Sequence, residues 1–448
     1  MKKCGCFWDK WRIGLSLLIG LWVPPGLSGE ESGQDTFADA LRSARVSGID
    51  EGLPPEVLRK MQNARLVLLG ESTHGTREFY VWRDRISRAL IEDGGFSFIA
   101  VEGDWASIYA LNRYVKDKAD APASAKEALM AQQRWPQWMW GNEEVAELGE
   151  WLRRFNAGRP PAERVGIYGM DVYSPWAAAD KTLAYTRASL GDGHRDVERA
   201  LARFLRFRDD VSGYIRAGFF QRGELAEGYR AKIEQLSTRL ETSDDPAGTF
   251  SAKQGLWTVK RAHGHFMAMA DPAVSSWNPR ALHMHETVQR LLSLYGSGSQ
   301  GIVWAHNTHI GDARATPMAM EGDHNIGELS RRAMGNEAVF SLGFSTHRGS
   351  VLAGRAWEAP MQRMRIPEAG PGSLEAILHD FFPEGAVLHW RFGYTPLRER
   401  EIAHRAIGVV YMPEHEFPGN YVPTRLSARY DALVFIPETR ALTPLARP

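Results

Sequence analysis

Residues 66–80 read LVLLGESTHGTREFY, and the stretch changes character in its middle. Leu66, Val67, Leu68 and Leu69 form an apolar run of the length and type expected of a strand buried on both faces. Gly70 permits a tight exit. Glu71, Ser72, Thr73 and His74 then place an acid, two hydroxyls and an imidazole in four successive positions. REFYVWRDRISRALIED follows with helical periodicity, so the unit reads strand, polar turn, helix.

The same grammar recurs. ARLVLL (64–69), FSFIAVE (96–102), RVGIYGMD (164–171), GIVWAH (301–306), AVFSLGF (338–344), AIGVVYM (406–412) and DALVFI (431–436) all have the length of buried strands. Helical patterns, ASIYALNRYVKD and EEVAELGEWLRRFN among them, separate the early ones. Alternation of this kind predicts a three-layer α/β/α fold with a largely parallel sheet. Residues 177–275 differ. Segments such as DVERALARFLRFRDDVSGYI and LAEGYRAKIEQLSTRL predict successive amphipathic helices. This reads as a helical insertion, a lid or wall, between core segments 29–176 and 276–448.

Lys plus Arg and Asp plus Glu both total 54 in the 448 residues, and no basic run or aromatic-basic ribbon appears. That argues against nucleic acid as a partner and favours a small-molecule substrate. The N-terminus carries Lys2, Lys3, Lys10 and Arg12, then apolar IGLSLLIGLWV, then small residues near Ser28 and Gly29. This predicts a signal peptide over residues 1–28 and an exported, periplasmic or secreted protein. An uncleaved anchor is the alternative, although the run is short for a spanning helix. Cys4 and Cys6 are the only cysteines, so cleavage would leave no disulfide, thiol nucleophile or thiolate metal site.

Polar groups gather at the carboxyl ends of four predicted strands, where open parallel sheets bind ligands. Glu71 and His74 follow the first; Glu102 and Asp104 close the second; Asp171 closes the third; His306 and His309 follow the fourth. Polar strand ends often serve only as caps, and Ser72 and Thr73 are read that way, with Thr73 capping a helix from about Gly75 or Thr76, assisted by Glu78. Glu71 and His74, one turn apart, can instead form a carboxylate–imidazole pair, the usual arrangement of a general base. Arg77, Arg280 or a His306-centred group would face a developing oxyanion. GESTH nearly matches the nucleophile elbow, but His74 stands where its last Gly belongs, which weakens a serine mechanism. No phosphate-binding glycine loop follows a predicted strand. Trp135, Trp138 and Trp140 make either an apolar wall or ordinary packing. His263 with His265, and His283 with His285, are two apart on helices and face different ways.

LGESTHGTREF, AVEGDW, WMWGNEEV with WLRRFN, YGMDVYS, VWAHNTHIGD, NIGEL, YMPEHE and RYDALVFIPETRALTPL occur in the order found in the erythromycin esterase family, and the resemblance spans roughly residues 55–445. It implies hydrolysis of a macrolactone ester with neither a metal nor a covalent serine. It implies His74 as base on water, Glu71 and Glu102 as the acids around it, and His306 with His309 near the water or carbonyl. Arg280 is kept, but Ala281 stands where many relatives carry an acid, which leaves the arginine's orientation open.

Three readings follow. The first is a cofactor-free carboxylic-ester hydrolase, with catalytic His74, Glu71, Glu102 and His306 and substrate-binding Arg77, His309, Arg280 and Asp171. The second uses the same Glu/His set to hold a divalent metal. The third is a non-catalytic binder of an apolar ligand.

Overall fold

The computed structural model describes residues 31–131, 134–208, 210–220, 234–235, 237–238, 240, 245–271 and 273–445. The expected signal segment with both cysteines lies outside them, as does most of LAEGYRAKIEQLSTRL. Among the described residues no helix is long and apolar enough to cross a membrane.

Among the described residues eleven strands run in chain order: β1 (Arg45–Gly48), β2 (Leu66–Leu69), β3 (Phe98–Asp104), β4 (Gly166–Asp171), β5 (Gly301–Trp304), β6 (Val339–Gly354), β7 (Met361–Ile366), β8 (Ala386–His389), β9 (Glu401–Arg405), β10 (Tyr421–Arg425) and β11 (Ala432–Thr439). Nine form one sheet in the order β1-β8-β11-β6-β2-β5-β3-β4, with β7 paired to β6. From β11 to β4 every pairing is parallel; the β1–β8, β8–β11 and β6–β7 pairings are antiparallel. β9 and β10 make a separate two-stranded ribbon.

Helices cover both faces, so the central strands are apolar throughout rather than alternating. Val67 and Leu69 of β2, Ile99 and Val101 of β3, and Ile302 and Trp304 of β5 point to one core. That core is shared with the helices Arg77–Gly94 and Glu143–Asn156. Leu66, Leu68, Phe98, Ala100 and Val303 point to the other, against the helix Trp277–Tyr295. The fold is the predicted three-layer α/β/α sandwich.

Several expectations are corrected. AIGVVYM is not a strand: β9 ends at Arg405, and Ala406 onward is irregular with isolated bridges. Its apolar residues are spent packing, with Ile407 and Tyr411 buried against β6 and β7. β6 runs well beyond the predicted segment, and β1, β7, β8, β9 and β10 were not foreseen. Thr73 caps no helix: the N-cap position is Thr76, whose side chain makes no capping bond, and Thr73 Oγ1 contacts Thr76 Oγ1 instead. Glu78 accepts from the backbone and side chain of Arg440.

Between β4 and β5 lie the helices Pro175–Ser189, His194–Leu205, Val211–Phe220 and Pro246–Ala270. They share a core of their own, in which Trp176 stacks on Phe204 at 4.9 Å and Phe266 at 5.8 Å.

Candidate active site

β2 crosses over to β3 on one face of the sheet, and β5 crosses back to β6 past β2. Adjacent strands whose connections leave in opposite directions open a crevice at their carboxyl ends. The ends of β2, β5 and β3 bring Glu71 and His74, His306 and His309, and Glu102 to that crevice.

Glu71 is fully buried with both oxygens engaged, 3.0 Å from His74 Nδ1 and 3.0 Å from Arg83 Nη2. The Arg83 guanidinium, equally buried, lies 4.2 Å from the Tyr80 ring centroid and 4.8 Å from that of Trp304. An ionised carboxylate only accepts, so His74 donates from Nδ1 and keeps the lone pair on Nε2. That nitrogen faces Glu102 Oε1 at 4.0 Å, too far for direct bonding. A water bonded to both atoms at about 2.8 Å would sit beside the line joining them, with an angle of about 90° at its oxygen. Burial opposes charge on the His74 ring, but Glu102 and Glu71 outweigh it and raise the pKa above 6.5.

Glu102 Oε1 accepts from Arg280 Nη2 at 2.8 Å and lies 3.1 Å from His309 Nε2; Oε2 accepts from the His306 backbone N–H at 2.9 Å. Trp140 Nε1 fixes the Glu102 carbonyl at 3.1 Å. Burial alone would push the Glu102 carboxyl up, yet His309, His74 and Arg280 hold it well below the usual range.

Arg280 donates to Asp171 from Nε at 2.9 Å and Nη2 at 2.7 Å, and its Nη1 is 3.1 Å from His309 Nε2. Its orientation therefore comes from Asp171 and Glu102, with no need for an acid at position 281, where Ala281 is buried. The His309 ring stacks on Trp277 at 4.4 Å, and burial lowers its pKa, favouring the neutral form. A neutral Nε2 either donates to Glu102 or accepts from Arg280, so it mediates between them.

The His306 ring lies 4.8 Å from that of His74. Its Nδ1 accepts from the Thr308 backbone N–H at 3.3 Å and lies 2.9 Å from Thr308 Oγ1, a hydroxyl that can donate to it as well; with Nδ1 accepting from both, the neutral ring carries its proton on Nε2. Nε2 is buried without a well-formed hydrogen bond, with the Ser72 carbonyl nearby. Burial, followed by the neighbouring His74, holds the His306 pKa well below 6.5.

The remaining expected residues fall outside this contact. Arg77 pairs with Glu144 at 3.2 Å and contributes nothing to the cluster. Asp171 is filled by Arg280 and by the Val172 N–H, so it has little left for a substrate. Ser72 Oγ is buried and unpartnered, while His74 Nδ1 is committed to Glu71. Trp138 and Trp140 are core residues, whereas Trp135 packs on Trp357 at 4.8 Å. Arg83 was missed, although a lone arginine amid Phe79, Tyr80 and Ile86 on an otherwise buried helix face is a readable anomaly. Among the described residues no three His, Cys, Asp or Glu side chains gather with metal-binding geometry. The Arg280 guanidinium fills the space between Glu102, Asp171 and His309 that a cation would take.

The erythromycin esterase family model matches residues 91–439, well over half of the chain. Solved structures share the fold. One is a succinoglycan biosynthesis protein, 18% identical, with TM-score 0.72 over 93% of this chain and 100% of that one. Another, from Bacillus cereus, is 18% identical with TM-score 0.72 over 92% and 99%. A histidine-to-asparagine mutant of the erythromycin esterase EreC, in its open conformation, is 15% identical with TM-score 0.61 over 89% and 96%. At such identities the structural likeness speaks to the fold alone. With the family model covering the strand ends that lead to Glu102, Asp171, His306 and His309, and the helix that carries Arg280, the chain belongs to the erythromycin esterase family.

Proposed function

We propose that the protein is an exported hydrolase that opens a carboxylic ester, a macrolide lactone foremost, with water activated by His74. The observation that carries this is the gap between His74 Nε2 and Glu102 Oε1, 4.0 Å wide, with Glu71 holding the opposite ring nitrogen. A water beside that gap gives its proton to Nε2 as its oxygen attacks the ester carbonyl carbon. Glu71 and Glu102 both favour the imidazolium that forms. The tetrahedral oxyanion takes hydrogen bonds from His306 Nε2–H and from the spare Nη1–H of Arg280. Collapse breaks the bond from carbon to the ester oxygen, and His74 returns the proton to the leaving alkoxide. Acid and alcohol result, with one water consumed.

Asp171 and His309 orient Arg280 in this scheme, and Arg83 holds Glu71. The helical insertion forms a wall of the cleft. A divalent metal is not invoked, because Arg280 already compensates the carboxylates where the cation would sit.

The test is to incubate purified mature protein with macrolide lactones and simpler esters, with and without chelator, and to follow product mass. Gain of one water, insensitive to chelator and lost in His74→Ala, is the expected result. A folded His74→Ala variant with near-full turnover would sink the mechanism. Amino-terminal sequencing of protein recovered outside the cytoplasm tests export, with a start near residue 29 expected.

A further inference from the structure

We propose that His404 and Glu375 are positioning residues that act through Asn307 on both sides of the catalytic crevice; the proposal rests on the esterase reading above.

The reason lies where β2 leaves the sheet. β2 pairs with β6 as far as Leu69 opposite Leu342, and the Gly70 N–H still donates to the Leu342 carbonyl at 2.9 Å. β6 continues, but the chain at Glu71 turns away. The vacated place beside Phe344 is filled by the side chain of Asn307. Its Nδ2 donates to the Phe344 carbonyl at 2.7 Å and its Oδ1 accepts from the Phe344 N–H at 3.2 Å, as a strand backbone would. The Asn307 backbone N–H donates to the Glu71 carbonyl at 2.8 Å. A Cβ at Gly70 would stand 2.1 Å from Asn307 Oδ1, so this close approach, rather than a turn, requires the glycine. One residue thus sets Glu71 directly and His306 as its chain neighbour.

Substituting for a strand requires the amide to face one way. The second Nδ2 hydrogen meets His404 Nε2 at 3.3 Å, which must therefore accept. A neutral imidazole accepts at Nε2 only when its proton is on Nδ1. Glu375 Oε1, 2.7 Å from Nδ1, holds the proton there, and the same oxygen accepts from Ser345 Oγ at 2.8 Å and the Arg405 N–H at 3.0 Å. The carboxylate fixes the tautomer, the tautomer fixes the amide, and the amide fixes the crevice.

Asn307, His404 and Glu375 are all fully or almost fully buried. A buried ionisable pair is rarely the cheapest way to fill a core, so its presence calls for a directional role. Burial lowers the His404 pKa, with Glu375 opposing and Arg429 and Arg405 assisting, and so favours the neutral ring that acceptance needs.

Nitrogen-15 NMR of the folded protein reads the tautomer. A proton on His404 Nδ1 with Nε2 bare is expected, and a proton on Nε2 at neutral pH overturns the proposal whatever the substrate. His404→Leu should lower kcat about 10- to 100-fold with KM within about threefold, the effect of a displacement near 1 Å. His404→Gln, which can accept from Asn307 and donate to Glu375, should recover most of kcat. Should His404→Leu not fold, Asn307→Asp sets an oxygen against the Phe344 carbonyl and should lose kcat similarly. Unchanged kcat in either folded variant overturns the relay. If the wild type hydrolyses no ester, the esterase reading falls by itself. The His74 ring titration then decides the relay: a midpoint displaced by His404→Leu supports it, and an unmoved one overturns it.

Discussion

Among the described residues, two buried histidine–glutamate pairs meet through the histidine Nδ1, and only one has the surroundings that the proposed base needs. His74 meets Glu71 at 3.0 Å and His404 meets Glu375 at 2.7 Å, each through Nδ1. Their surroundings part them. A second carboxylate, Glu102, faces the far side of His74 and with Glu71 overcomes burial, so the pKa rises; at His404 burial outweighs the single carboxylate, with Arg429 and Arg405 assisting, and the pKa falls. The His74 Nε2 faces Glu102 at 4.0 Å without a direct bond, whereas His404 Nε2 is closed by Asn307. Pairing a histidine with a carboxylate therefore does not make a base. The second charge and the uncommitted nitrogen do.

The largest effect that can break this comparison is loss of the open nitrogen. His74→Ala should reduce kcat by about 10²–10⁴-fold, the usual contribution of a general base. Single-turnover kinetics on the folded variant measure it. If His404→Leu costs as much as His74→Ala, the division into base and support is wrong.

Next comes the second charge. Glu102→Gln keeps the shape but removes the carboxylate that most favours charged His74. We expect kcat to fall about 100-fold as Arg280 and the water lose a shared partner, within the range of one misplaced catalytic contact. On the proposed mechanism neutral His74 is the active form, so kcat/KM should rise with pH through a midpoint above 6.5. In Glu102→Gln that midpoint should move down. The same titration has a stability counterpart of opposite sign. A histidine whose pKa is raised on folding stabilises the fold fully below its unfolded value. That contribution fades as pH climbs through the raised folded value, so the protein should lose a little denaturant stability over the window in which activity appears. A pH-rate profile with no limb above 6.5 would contradict both statements.

Arg83→Met tests the anchor under Glu71. Both side chains are fully buried, so removing one partner strands a charge in the interior, at a typical loss of about 3–5 kcal/mol. Urea unfolding of the variant measures this. A loss below about 1 kcal/mol would mean that Arg83 is not the anchor under Glu71.

Much of this was legible in the sequence, for identifiable reasons. β2, β3, β4 and β5 are short, apolar on both faces and end in polar residues, so both their existence and the edge carrying Glu71, Glu102, Asp171 and His306 could be read. β1, β7, β9 and β10 could not, because edge and ribbon strands such as MQRMRI and EIAHR carry polar residues at pairing positions; β8, AVLH, is apolar and interior, between β1 and β11, and was missed without that reason. AIGVVYM misled because apolar β-formers mark burial before they mark a ladder. The network from Glu375 to Asn307 joins residues 68 and 97 positions apart, a distance no local pattern spans. Asn307 itself leaves no such signal, since an amide standing in for a strand has no signature in its neighbours.

Arg77 offers the smallest effect and the sharpest check on reading chemistry from proximity in sequence. It follows His74 by three positions at the start of a helix, where a guanidinium near the oxyanion is an easy expectation. Its Nε instead pairs with Glu144 at 3.2 Å, and its side chain is 41% exposed. Partly exposed ion pairs contribute about 0–1 kcal/mol, so Arg77→Ala should change stability by no more than that. Because none of its contacts reaches Glu71, His74, Glu102 or Arg280, kcat/KM should stay within about threefold of wild type, under 1 kcal/mol of transition-state binding. A 100-fold loss would mean that Arg77 swings into the crevice with substrate bound. The oxyanion would then have a donor on the β2 side, and Arg280 would lose its place as the cation that faces it.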